Sequence, residues 1–71
     1  MIYELWETKT GNLIASYESE QEALALVRDA MAEHGNWYTD SILLGFEDDE
    51  GNSKMIAEGK DLAELALLSG R

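Results

Sequence analysis

Two polar stretches of this chain, Thr8-Lys9-Thr10-Gly11 and Asp48-Asp49-Glu50-Gly51, constrain its fold more than anything else in the sequence. Each ends in glycine, is followed by an asparagine (Asn12, Asn52), and is preceded by an aromatic residue and a glutamate (Trp6-Glu7, Phe46-Glu47). A three-residue hairpin loop with a bulge is a type I turn followed by one residue of positive φ. It favours Asp, Asn or Ser first and needs glycine at the left-handed position. Both stretches are read in this way and predict two β-hairpins forty residues apart. The flanks agree. Residues 2–7 (IYELWE) alternate around large β-formers and 13–17 (LIASY) supply the returning strand, while 39–47 (TDSILLGFE) and 53–57 do the same for the second hairpin.

Each hairpin leads into a helix. Ser19 before "EQE" reads as an N-cap with Glu22 as its capping-box partner, each side chain satisfying the other's backbone N–H. Ala23, Leu26, Val27, Ala30, Met31 and His34 then recur every three or four residues, and Gly35 supplies the left-handed stop. Gly59 or its neighbour opens a second helix over 60–69, with Leu62, Leu65, Ala66 and Leu68 on one face and Gly70 ending it. The expected fold is α+β: a tandem ββα-ββα chain whose four-stranded antiparallel sheet carries two helices packed on one face. Residues 1–71 read as a single domain made of a first ββα unit, 1–35, and a second, 36–71. Glu18 aligns with Glu58 and Ala23 with Ala63 across the two units.

Size and composition narrow the function classes. A domain of 71 residues removes only about 60% of its unfolded surface from water, so a partner subunit would help its stability. Without cysteine there is no disulfide, thiolate zinc site or thiol nucleophile, a content that fits a reducing cytoplasm. The start Met1-Ile2-Tyr3-Glu4 has no basic segment or apolar core of a signal peptide, and no apolar run is long enough to span a membrane. A soluble cytoplasmic protein is expected. Fifteen acids against five bases give a net charge of −10, which argues against direct binding of nucleic acid, because phosphate affinity rests on Lys and Arg. With 45% apolar residues and two tryptophans, the chain is also too hydrophobic for a disordered acidic tail.

The acid run 47–50 invites a metal reading, which its spacing opposes. A calcium EF-hand loop needs glycine at position 6 and a bidentate glutamate at position 12. Counted from Asp48, those positions are Ser53 and Gly59. Asp48, Asp49 and Glu50 therefore read as a solvated hairpin tip with at most weak divalent binding, and no metal or cofactor is expected. No catalytic residues are assigned either. The single histidine, His34, falls in the last turn of a helix, where the dipole favours an imidazolium and the ring covers the core edge. No nucleophile motif, glycine-rich phosphate loop or Walker pattern accompanies it.

What is left is a surface. Pairing through the predicted turns sets Trp6 opposite Ile14, Leu5 opposite Ala15 and Tyr3 opposite Tyr17; in the second hairpin, Leu44 meets Ile56, Phe46 meets Lys54, Leu43 meets Ala57 and Gly45 meets Met55. Both faces of the sheet then carry apolar side chains, and two helices can cover only one. Which face the helices take is left open, so the expected interface residues are Trp6 and Ile14 with their neighbours, or Leu43 and Met55, with Trp37 and Tyr38 as a second exposed aromatic pair. The sequence thus points to a non-enzymatic small acidic protein-interaction module, a homodimer through its apolar sheet face, with docking of another protein as the related case. The alternative is an acidic nucleic-acid mimic or antitoxin-like regulator that binds a basic partner protein.

The stretch "WETKTGNLIASYESEQEALALVRDAMAEHG", together with the terminal "AEGKDLAELA", resembles small uncharacterised bacterial proteins of about this length. They share a strand with a Trp-acid pair, a T-G-N-L hairpin and a capped "EAL" helix. That resemblance covers nearly the whole chain and implies no activity. A narrower likeness, a strand followed by a capped S-x-x-EAL helix over residues 13–34, is shared with HicB-type antitoxins, although the Pro-Gly-rich segment expected before it is absent.

Overall fold

The computed structural model describes residues 1–69. Along the chain run β1 (Ile2–Glu7), β2 (Asn12–Tyr17), α1 (Glu20–His34), a 3₁₀ helix (Asn36–Ser41), β3 (Ile42–Glu47), β4 (Ser53–Glu58) and α2 (Gly59–Ser69). The fold is α+β, with one four-stranded antiparallel sheet in the order β2-β1-β3-β4 and two helices. It departs from the expected ββα-ββα order in one respect. Residues 39–41, read as the start of the third strand, belong to the 3₁₀ helix that separates the two hairpins. The helix carries Thr39 into the interior, where it is 1% exposed, and spans from the end of α1 to the sheet.

The two turns do not close alike. Asp48 and Asn52 pair through Asp48 N–H to the Asn52 carbonyl at 2.9 Å, and Gly51 N–H donates to the Asp48 carbonyl at 3.1 Å. That is the expected three-residue loop, with Gly51 at φ 85°. The first loop is one residue longer: Glu7 pairs with Asn12, and Gly11, at φ 72°, donates to the Glu7 carbonyl at 2.9 Å. The extra residue sets Trp6 opposite Leu13 rather than Ile14; a bulge at Ile14 then restores the expected pairs Leu5 with Ala15 and Tyr3 with Tyr17. In the second hairpin Phe46 meets Lys54 and Gly45 meets Met55 as expected. A bulge at Ile56 shifts the rest, so Leu44 meets Ala57 and Leu43 meets Glu58.

Both helices lie on the Leu5 face of the sheet. α1 packs against β1 and β2, α2 against β3 and β4, and the helices touch each other. The core is Leu5, Leu44, Ile42 and Ala57 from the strands, Ala23, Leu24, Val27 and Met31 from α1, and Leu62 and Ala66 from α2. The stripe on α1 is therefore rotated from the expected one, with Leu24 fully inside while Ala30 is half-buried and His34 exposed. On α2, Leu65 packs beside the core but Leu68 points outward, 60% exposed. At about 1.5–3 kcal/mol for each large apolar side chain buried, Leu5, Leu24, Leu44 and Leu62 are the main stabilising contributions.

The Ser19 cap and the Gly35 stop follow the sequence. The Ser19 hydroxyl accepts from the Glu22 N–H at 3.2 Å, and Gly35, at φ 103°, donates to the Met31 carbonyl at 2.8 Å. Arg28 of α1 reaches the end of α2, donating to the Ser69 hydroxyl at 3.0 Å and the Ala66 carbonyl at 3.5 Å. A cation at a helix C-terminus is favoured by the dipole, so this contact also ties the two helices together. The stop expected at Gly70 lies outside the described residues.

Candidate functional site

The face of the sheet opposite the helices has no cover among the described residues. Strand alternation fixes its content: Leu5 and Leu44 point into the core, so their neighbours Trp6, Leu43 and Gly45 point away. Cross-strand pairing completes two rows. One runs Leu13, Trp6, Leu43, Glu58 across the four strands, and the next runs Ser16, Glu4, Gly45, Met55. A third, at the far end, holds Ile2, Glu47 and Ser53.

This face brings together three of the expected residues, Trp6, Leu43 and Met55, and adds Leu13, which takes the place opposite Trp6 that had been given to Ile14. Ile14 stands beside it at the bulge, also exposed. Met55 is 57% exposed and Leu13 47%. An open groove of about 320 Å³ runs across the middle, lined by Glu4, Trp6, Leu43, Gly45 and Met55, with Lys54 also on its wall. Gly45 forms its floor. A Cβ there would lie 3.1 Å from the Lys54 carbonyl oxygen, so the close approach of β4 leaves little room for a side chain, and glycine keeps the hollow open.

Trp37 and Tyr38 belong elsewhere. Both are in the 3₁₀ helix, and they part company: Tyr38 packs on the core edge and stacks on His34 with ring centroids 5.7 Å apart, whereas Trp37 is 67% exposed. Its indole lies against Gly35, whose missing Cβ would be 3.1 Å from the ring. Trp37 borders a second groove of about 380 Å³ with Thr39, Asp40, Lys60, Ala63, Glu64 and Leu67. The exposed Leu67 was not singled out in the sequence, because its neighbours Leu65 and Leu68 fit the expected stripe better.

The acids at the hairpin tips serve the turns. The Asp48 carboxylate accepts from the N–H groups of Glu50 and Asn52, each at 2.9 Å, and from the Asn52 amide at 3.3 Å. Glu7 does the same in the first loop, accepting from the N–H groups of Lys9 and Thr10 and from the Thr10 hydroxyl. These bonds favour the ionised forms. The backbone bond from Asn52 holds Asp48 below its ordinary value, and the Thr10 hydroxyl does so for Glu7. Asp49 pairs with the amino group of Met1 at 3.0 Å. Among the described residues no three metal-ligating side chains are grouped, and no helix is long and apolar enough to cross a membrane. The chain matches no family model, and no curated protein or solved structure is significantly similar to it.

Proposed function

We propose that this chain is a non-enzymatic, acidic protein-interaction module that forms a homodimer through the open face of its sheet. The observation that carries the reading is the uncovered row Leu13, Trp6, Leu43, with Met55 beside it, on the side of the sheet away from both helices. Contiguous apolar surface of this kind on a small domain is a protein-contact surface, and tryptophan is the side chain most enriched among residues that dominate such contacts. Both edge strands supply a second argument. β2 and β4 each carry a bulge, at Ile14 and Ile56, and bulged edges resist strand-to-strand addition. Association is thereby directed to the face.

Absolute mass from light scattering coupled to size exclusion tests the reading. A dimer is expected to persist at high salt, and Trp6→Lys is expected to weaken it at least about tenfold while helix content is retained. A monomer at every concentration would sink the proposal. Association only with basic proteins, weakening steeply as salt rises, would favour the acidic-mimic alternative instead.

A further inference from the structure

The bare face of the sheet is distinguished by its charge as well as by its lack of cover. Register places Glu4, Glu47 and Glu58 on it, around Leu13, Trp6, Leu43 and Met55. Among the described residues no ion pair involves any of the three carboxylates, and no cation stands on this face by register. Lys9 lies in the first hairpin loop, Arg28 in α1 and Lys60 in α2. Lys54 borders the groove, but it stands opposite Phe46, in the row that Tyr3 carries to the core side.

The unanswered charge has a pattern. With strands about 4.8 Å apart and residues rising about 3.3 Å, Glu4 and Glu47 lie roughly 8 Å from one another and Glu58 roughly 12 Å from Glu4. Glu4 and Glu47 flank the apolar row Leu13, Trp6, Leu43 on one side, and Glu58 stands at its β4 end. Apolar contact and positive charge are therefore needed together, side by side, from whatever covers the face.

The size of the face selects a helix. Six-residue strands in a four-stranded sheet make a surface of roughly 20 by 20 Å. A helix of about fourteen residues is about 21 Å long and about 10 Å wide, and the opposite face of this same sheet already carries two helices, α1 over β1 and β2 and α2 over β3 and β4. A strand would add at an edge instead, and both edges are bulged. An amphipathic helix lays an apolar stripe on such a surface, and lysine or arginine beside the stripe reaches outward along its methylene stem to an acid at the border.

We propose that the open face docks a basic amphipathic helix of another protein, whose apolar stripe covers Trp6, Leu43 and Met55 and whose flanking lysines or arginines neutralise Glu4, Glu47 and Glu58. This rests on the reading of the face as a protein-contact surface and names a competitor for the second copy. A copy adds three more carboxylates and no cation to the face, so the basic helix displaces it.

The probe is a synthetic peptide of about fourteen residues, half leucine and half lysine, with its leucines at helical spacing. Its control has the same composition in strict alternation, the period of a strand. Trp37→Phe leaves Trp6 as the only tryptophan, so its emission reports the face. The helical peptide is expected to shift that emission to the blue and to bind at least about tenfold more tightly than the alternating one. Replacing the carboxylates of the face together, Glu4→Gln, Glu47→Gln and Glu58→Gln, is expected to weaken binding at least about tenfold. Removing as many from the exposed sides of the helices, Asp29→Asn, Glu33→Gln and Glu64→Gln, is expected to weaken it less than about threefold. Equal weakening by the two sets would overturn the inference, because the attraction would then be to net charge. So would equal binding of the two peptides, or binding that leaves Trp6 emission unchanged. If the first set alters helix content, the comparison of the two peptides on the unaltered carboxylates still decides. Light scattering without peptide tests the second copy separately. A monomer that binds the helical peptide in this way removes the homodimer and supports the basic helix, whereas a dimer that the peptide neither binds nor dissociates overturns the basic helix and keeps the homodimer.

Discussion

Leu43 and Leu44 are chemically identical neighbours on β3, and they fall on opposite sides of the molecule's main division. Leu44 is 0% exposed, under the helices; Leu43 is half-buried on the bare face, beside Trp6. The covered face contributes Leu5, Ile42, Leu44 and Ala57 to a core completed by six helix residues, whereas the bare face sets an apolar row among three carboxylates. The contrast separates what holds the fold from what is available to a partner. A side chain on the first face contributes to the stability of one chain, and a side chain on the second is free to contribute in the proposed dimer.

The sharpest way to break this comparison is to shorten both leucines. Leu44→Ala is expected to lose about 2–5 kcal/mol by removing buried contacts and leaving a cavity, enough to unfold most of a domain this small. Leu43→Ala is expected to lose less than about 1.5 kcal/mol in urea unfolding of the monomer and, for the proposed dimer, to show its larger effect in the dissociation constant. Equal losses from the two variants in the monomer would mean that the bare face is core in another guise.

A smaller effect is expected where the two faces share a backbone. Gly45→Ala places a methyl group 3.1 Å from the Lys54 carbonyl, so β3 and β4 must separate slightly, at a cost of roughly 1–3 kcal/mol. The same methyl shallows the groove, so the proposed dimerisation is expected to weaken with stability. Unfolding and dissociation measured on one sample would show both.

The smallest effect is at the hairpin tips, away from either face. The folded-state values of Glu7 and Asp48 are depressed by the loop N–H and hydroxyl groups they bind. Depressed carboxylates contribute stability that is present above their ordinary values, 4.5 for Glu7 and 3.8 for Asp48, and lost as pH falls through the lower folded ones. The amide signals of Thr10 and Asn52 are therefore expected to titrate below those ordinary values, while the core stays folded. Amides that titrate at or above them would show that the carboxylates do not hold the turns.

Much of the covered face was legible because it rests on local chemistry. Ser19 and Gly35 bracket α1 as expected, and Leu62 and Ala66 turn inward. The rotation of the α1 stripe was less so. Ala23, Leu24, Val27 and Met31 form a valid helical face, but so do Ala23, Leu26, Val27 and Ala30, and periodicity alone does not choose between overlapping stripes in an apolar segment. On the bare face, the sequence named Trp6, Leu43 and Met55 but left open which of them the helices would cover, and the strand register places all three on one side. Leu13 was missed because the extra turn residue moves the partner of Trp6 by one position before the bulge at Ile14 restores the register. Trp37 and Tyr38 were treated as a pair, yet only the packing of the 3₁₀ helix separates the exposed indole from the ring stacked on His34.

By itself, then, the sequence determined the two glycine-closed hairpins, the two helices that follow them, and the surplus of apolar strand residues over what two helices can hide. Those are consequences of backbone conformations that glycine alone tolerates well and of side-chain periodicity, both local in range. Only the tertiary structure decided where the bulges at Ile14 and Ile56 fall, that Gly45 underlies a groove, and which acids share the bare face with Trp6. Register and burial are set by strands and helices distant in sequence competing for the same space, and no short stretch of residues encodes that competition.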